Sequence, residues 1–183
     1  LAFNKRKFIL MLSALCNDSK KIDRRFIGDP TETALSEAYE ETSENIPDFK
    51  RVDEIPFSSE RKLMTTIHHT EGKRYISATK GAVEEMLSIC SKYLGEKTPI
   101  DIDDNMKGKI LYENKKMAES GLRVLAIGYK EFETGQPLKK NCEKDIIFAG
   151  LVGLMDPPRK EVKDAVETCK KAGIRPVMIT GDN

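Results

Sequence analysis

The sequence predicts an α+β fold, an antiparallel sheet flanked by helices, with a partial α/β segment after it. Three observations carry this prediction. Apolar residues recur at helical spacing in several separate stretches, as in Phe8, Met11, Leu12, Leu15 and again in Val83, Met86, Leu87, Cys90. Strand-like runs lie between them, and two of these, residues 62–69 and 73–79, meet at Glu71-Gly72 as an antiparallel hairpin would. After Asp156-Pro157-Pro158-Arg159 the pattern changes to one helix and one apolar strand, half of a parallel α/β unit.

Taken in order, the first helix runs through about Cys16 and breaks at Asn17-Asp18-Ser19. The second starts at Gly28-Asp29-Pro30-Thr31-Glu32. Asp29 is placed as N-cap, Pro30 fills the first helical position, where its missing N–H costs nothing, and Glu32 stands three residues after the cap as in a capping box. This helix continues to about Thr42. Pro47 and Pro56 bracket a short strand at residues 51–55, ahead of the hairpin. The spacing from Val83 marks a third helix ending at Gly95, and a fourth spans about 103–121, each stopped by a glycine suited to the left-handed C-terminal position. Residues 122–130 alternate as a strand, the polar stretch 130–144 reads as a loop or edge excursion, and 146–154 is an apolar run expected to be buried on both faces. Val162, Ala165, Val166 and Cys169 give a last helix, Gly173 ends it, and 175–180 gives an apolar strand. The chain opens on Leu1 and stops three residues past that strand, which reads as a piece of a longer protein.

Among the 183 residues Lys and Arg number 31 and Asp and Glu 30, a formal net charge of +1. A protein that coats nucleic acid, or a basic domain that lies on a membrane surface, carries a large positive excess, so both classes are set aside and any anion site must be local. The longest apolar runs, 8–16 and 146–155, fall far short of the ~18 residues of a bilayer span. Cys16, Cys90, Cys142 and Cys169 are scattered, without a CxxC pair or a preceding signal peptide, and are expected as reduced thiols in the cytosol. His68 and His69 are adjacent in a strand-like run, so they point to opposite faces and are not expected to share a metal.

Singly, the remaining motifs have ordinary structural meanings. Gly28 to Glu32 is a capped helix start, Phe57 an edge aromatic, Lys80-Gly81-Ala82 a strand-to-helix corner, Arg123 a surface charge, and Thr180-Gly181-Asp182 a turn. Their order along one chain changes the reading. Ala14-Leu15-Cys16-Asn17-Asp18, Gly28 to Glu32, Phe57-Ser58-Ser59-Glu60-Arg61-Lys62, Lys80-Gly81-Ala82, Gly121-Leu122-Arg123-Val124-Leu125-Ala126, residues 153–159 and the closing Met178-Ile179-Thr180-Gly181-Asp182-Asn183 together resemble the cytosolic nucleotide-binding region of P-type cation-transporting ATPases. The resemblance covers essentially the whole chain and is nearest to calcium pumps of the sarcoplasmic-reticulum type and their bacterial relatives.

Residue by residue, the resemblance implies an ATP site with Glu32 and neighbouring Thr31 at the adenine edge, Phe57 stacked on the adenine, Lys62, Lys80 and Gly81 lining the pocket, and Arg123 reaching the phosphates. The chemistry fits: stacking on an aromatic face contributes ~1–3 kcal/mol per base, and ammonium or guanidinium groups give charge-assisted hydrogen bonds to phosphate. Many family members carry arginine two residues after the stacking phenylalanine, where this chain has Ser59, so one phosphate contact is open to question. No Walker lysine loop or Gly-x-Gly-x-x-Gly is present.

The resemblance further implies two parts: residues 1–155, an ATP-binding domain trimmed at its start, and residues 156–183, a hinge and the opening of a haloacid-dehalogenase-like phosphorylation domain. Thr180, Gly181 and Asp182 would face the γ-phosphate and its Mg2+ there. The nucleophilic aspartate of the family's Asp-Lys-Thr-Gly-Thr is absent from this sequence, so no catalytic residue and no metal ligand is assigned, and the chain is expected to bind ATP or ADP without turning it over. Its partners would be the remaining phosphorylation, actuator and membrane domains of the parent pump. Two rival readings are a haloacid-dehalogenase-like phosphatase, which needs an N-terminal Asp-x-Asp that does not open this chain, and a non-enzymatic α+β interaction module.

Overall fold

A computed structural model of the chain describes residues 4–42, 49–96, 98–133, 135–155, 161–177 and 179. Helix α1 (Lys5–Leu15) is capped by Asn4, whose side chain accepts the Lys7 N–H. A two-stranded hairpin follows, β1 (Lys20–Ile22) and β2 (Arg25–Ile27), then helix α2 (Pro30–Glu40). Asp29 caps α2 and Pro30 opens it, as expected. The capping box does not close: the Glu32 carboxylate accepts the Asp18 N–H and the Lys80 ammonium. A cation from the sheet and a loop amide outside the helix have taken the lone pairs that a box would use.

Strands β3 (Lys50–Ile55), β4 (Leu63–His69) and β5 (Tyr75–Gly81) form an antiparallel meander, and the expected hairpin pairs Leu63 with Gly81 through His69 with Tyr75. Helix α3 (Val83–Ile89) is shorter than the sequence suggests. Its apolar spacing breaks at Cys90, where the chain turns into strand β6 (Cys90–Leu94) and pairs in parallel with β9 (Ile146–Leu154). Sheet pairing outweighs the helical period here, so the sheet is mixed rather than purely antiparallel. Gly95 accordingly sits in a tight turn to β7 (Pro99–Asp101), where its N–H donates to Thr98 O. Helix α4 (Asp104–Glu119), capped by Asp103, ends just before Gly121 at φ 77°, followed by β8 (Arg123–Phe132). The polar excursion holds a short turn of helix, α5 (Lys139–Cys142).

The seven-stranded sheet runs β3-β4-β5-β8-β9-β6-β7. Leu12, Leu15 and Cys16 of the α1 region pack on one face with Met64, Ile76, Ala78 and Ile127, while Val83, Met86 and Leu87 of α3 and Ile110 of α4 pack on the other with Leu63, Ala126 and Phe148. Tyr39 of α2 closes a smaller cluster against Leu10 and Ala14. The result is a three-layer α/sheet/α arrangement. Along β9 only the first half is deeply buried, and its end becomes partly exposed.

Helix α6 (Val162–Lys171) forms where expected, with Gly173 at φ 74° after it, and buries none of its residues. The strand expected at 175–180 is not formed by its described residues, 175–177 and 179, which have no ladder partner. The Asp156-Pro157-Pro158-Arg159 hinge and Thr180, Gly181 and Asp182 lie outside the described residues. His68 and His69 do face apart: His68 is buried against Thr66 and Phe49 O, and His69 meets Gly72 O. All four cysteines are free thiols.

Candidate functional site

The register of the sheet brings most of the implied site to one end. Ile55, the last residue of β3, lies opposite Thr65; Leu63, the first of β4, opposite Gly81, the last of β5; Gly81 opposite Ala126; and Arg123, the first of β8, opposite Leu154, the last of β9. The 56–62 loop with Phe57, the Gly81-Ala82 corner and Arg123 therefore share the same rim. Lys80 lies opposite Ile127, which puts its side chain on the same face as Arg123, four residues along β8. Helix α2 covers that face. A cleft of about 670 Å³ opens there between Asp29, Pro30, Thr31 and Leu35 of the α2 region and Arg123, Val152 and Met155.

Within this rim the charges are unequally engaged. Lys80 is buried, and its Nζ stands 2.5 Å from Glu32 Oε1, with both side chains largely shielded. Lys62, in the left-handed region at φ 51°, pairs with Glu85 of α3 at 2.7 Å. The hydrogen bond and charge of Glu85 raise the Lys62 pKa, and Lys62 lowers that of Glu85. Arg123 is exposed and reaches the Thr31 hydroxyl at 3.4 Å. At Asp29 burial opposes the charged form, but hydrogen bonds from Thr31 and Glu32, with Arg123 nearby, outweigh it and hold the carboxyl below its usual range. Because the Asp29 side chain already accepts the Thr31 N–H, the first turn of α2 is capped from within.

Phe57 is 62% exposed, a large apolar ring left in solvent at the rim. Its loop is tied down on either side. Lys62 N–H donates to Ser58 O at 2.7 Å, Arg61 N–H reaches Ser58 Oγ at 3.3 Å, and the Arg61 guanidinium donates to Pro56 O at 2.5 Å. Ser59 is exposed in this loop. Gly81 is required by close approach: a Cβ there would lie 2.2 Å from Lys62 O and 3.0 Å from Leu63 Cα.

Three contributors escape the sequence reading. Asn17 donates to Glu32 O at 2.8 Å and Asp18 N–H to Glu32 Oε2, so the segment after α1 sets the start of α2. Glu143, from the excursion read as an undistinguished loop, holds Arg61 with two contacts of 2.7 and 2.9 Å. Asn17-Asp18 belongs to a motif of the family resemblance, which is the signal for its role; an isolated glutamate in a lysine-rich stretch carries no local signal.

Among the described residues no three His, Cys, Asp or Glu side chains gather as metal ligands, and no helix is long and apolar enough to cross a membrane. The family described as P-type ATPase, cytoplasmic domain N, matches residues 6–161. Calcium-transporting ATPase 1 of Bacillus cereus (strain ATCC 10987 / NRS 248) is 39% identical over 184 residues, covering 97% of this chain and 20% of its own length. The calcium-transporting ATPase of Bacillus subtilis (strain 168) is 36% identical over 185 residues, covering 96% and 21%, and Calcium-transporting ATPase 1 of Saccharomyces cerevisiae (strain ATCC 204508 / S288c) is 35% identical over 185, covering 95% and 19%. The chain thus spans about a fifth of the length of these relatives. A family match over most of the chain, with relatives at 35–39% identity, settles its membership: the chain belongs to the P-type ATPases, and residues 6–161 match their cytoplasmic domain N.

Proposed function

We propose that this domain binds ATP at the rim described above and presents its γ-phosphate for transfer to an aspartate outside this chain, as part of a calcium-transporting pump. The observation that carries the reading is the convergence at one sheet end of an exposed aromatic ring, an exposed guanidinium and a cleft of about 670 Å³. Phe57 offers its face to the adenine, Thr31 and Glu32 stand at the adenine edge, and Lys80 orients Glu32 from below. Arg123 takes the phosphates as a forked, permanently charged donor. Gly81 keeps the corner narrow enough for the 56–62 loop to close on the ring. Lys62 and Ser59 belong to the same loop and line the entrance.

The chain's own contribution to phosphoryl transfer is positioning and charge, which are the main protein contributions in such reactions. Mg2+ would be bound by the phosphates as part of the substrate, where it would neutralise their charge, and no described residue is assigned to it. The residues after 155 are read as a hinge and the opening of the haloacid-dehalogenase-like phosphorylation domain, with Thr180, Gly181 and Asp182 on the phosphate side. The calcium assignment rests on the relatives' names and their identity to this chain.

An NMR titration tests the reading. ATP should bind with Kd on the order of 0.1–1 mM, as an open pocket with few contacts allows, and Phe57→Ala should weaken it about 5-fold or more through lost stacking. Release of inorganic phosphate should stay at the buffer control, since the nucleophile is missing. Unmoved resonances around Phe57 and Lys80 at several millimolar ATP, or turnover abolished by Asp182→Ala, would overturn it.

A further inference from the structure

We propose that Glu143 and Arg61 are a positioning pair that sets the Phe57 loop in its ring-stacking geometry, a role that rests on the ATP-binding reading above. Phe57 is mostly solvent-exposed, so packing does little to fix its direction; the backbone of its loop must do so. Arg61 reads that backbone. One arm of its guanidinium donates to Pro56 O, the carbonyl immediately before Phe57, while the other meets both carboxylate oxygens of Glu143. The planar fork couples the two bonds, so fixing the carboxylate fixes the carbonyl.

Glu143 is in turn anchored from beneath. Its Oε1 accepts the Thr65 hydroxyl at 2.9 Å, which spends the single Thr65 proton, so the Thr79 hydroxyl donates to Thr65 at 2.9 Å. Both threonines are fully buried in adjacent strands, β4 and β5. The segment around Glu143 is fastened to the sheet at two further points. Lys139 pairs with Asp53 of β3 at 2.8 Å, and Lys130 of β8 donates to Lys144 O at 2.6 Å. A chain of polar contacts therefore runs from the middle of the sheet through Glu143 and Arg61 to the residue before the aromatic ring. An ion pair whose only role was stability would not need the bond to Pro56 O.

The test uses the full chain and two variants of it, with ATP and adenosine as ligands. Arg61→Lys keeps the charge but cannot bridge Glu143 and Pro56 O at once; Glu143→Gln keeps the shape but loses the charge-assisted pair. Each should raise the Kd for adenosine and ATP alike by about 5-fold, a modest hydrogen-bond effect, and shift the ligand-free amide and ring resonances of Phe57, with Arg61→Lys leaving the melting temperature close to wild type. If Glu143→Gln fails to fold, Arg61→Lys decides alone. Kd values within about 2-fold of wild type and unmoved Phe57 resonances in Arg61→Lys overturn the inference while Phe57-dependent ATP binding by the wild type still stands. Absence of ATP binding by the wild-type chain removes both.

Discussion

Lys62, Lys80 and Arg123 carry the same formal charge, yet their surroundings give them unequal reach toward an anion. Each lysine faces a carboxylate within 2.7 Å, so its field is largely cancelled a few ångströms away. Arg123 is exposed, makes a long contact to a neutral hydroxyl, and meets the Asp29 carboxylate through charge alone rather than in a close pair. Arg123→Ala should therefore weaken ATP binding by about 10-fold, in keeping with hydrogen bonds to a charged group, and Lys80→Ala by less, while adenosine binding stays near wild type in the Arg123 variant. Titration calorimetry with the two ligands measures this, and equal losses for adenosine and ATP would remove Arg123 from the phosphate role. The cysteines give a second residue-scale expectation. Burial pushes the Cys16 and Cys142 thiols up to about 11 and Cys90 up to about 12. Thiolate, the reactive form, is then on the order of 0.1% or less of each at pH 8. Iodoacetamide at that pH should alkylate Cys169, which is partly exposed on α6, and reach the other three only in denaturant, as intact mass will record.

At the scale of elements, what was legible was what local chemistry dictates. Asp29-Pro30, Asp103 and Gly121 are caps and stops whose meaning does not depend on the rest of the chain, and the helices α2 and α4 lie where these residues put them. The β4–β5 hairpin follows from alternation and a Gly turn. What was not legible depends on distant partners. The β1–β2 turn uses Asp23 and Arg24 at φ 46° and 67°, a geometry usually announced by Asn-Gly or Asp-Gly, so the sequence hides it. Residues 90–94 change from helix to strand only because the edge of β9 is there to pair with them. The residue types of the proposed site come from the sequence, and the Glu32–Lys80 pair and the Glu143 anchor do not, since each joins positions far apart in sequence. Two glycines separate these kinds of constraint. Gly81→Ala would force a Cβ into the Lys62 carbonyl and Leu63 backbone, which cannot swing aside as a side chain could, and should cost about 1–3 kcal/mol. It should also weaken ATP binding, because the 56–62 loop would have to retreat. Gly108, inside exposed α4, meets nothing within 4 Å, and Gly108→Ala should stabilise by up to about 1 kcal/mol through helix propensity. Urea denaturation compares them; a Gly81→Ala variant as stable as wild type would refute the close-approach argument.

At the scale of the whole molecule, the two sides of residue 156 should be energetically separable. Every residue assigned to the adenine and phosphate contacts up to Arg123 precedes this point, and the seven-stranded sheet that positions them is complete at Leu154. Beyond it, α6 buries none of its residues, and Val162, Ile174, Val177 and Ile179 are exposed at 42%, 58%, 74% and 93%. Little apolar area on that side adds to the stability of the domain core, while such exposed apolar groups favour self-association. Two prolines, Pro157 and Pro158, lock two φ angles and withhold two N–H donors, so neither helix nor ladder can pass through them undisturbed. Deleting residues 156–183 should therefore leave the melting transition in place, keep ATP affinity within about 2-fold, and lower any concentration-dependent association seen by light scattering. It would remove Thr180, Gly181 and Asp182, which the proposed function puts on the phosphate side. The adenosine titration separates the outcomes: a truncated chain that stays folded and binds both ligands assigns the pocket to the domain N core, and one that stays folded but binds neither means that the pocket extends across the hinge.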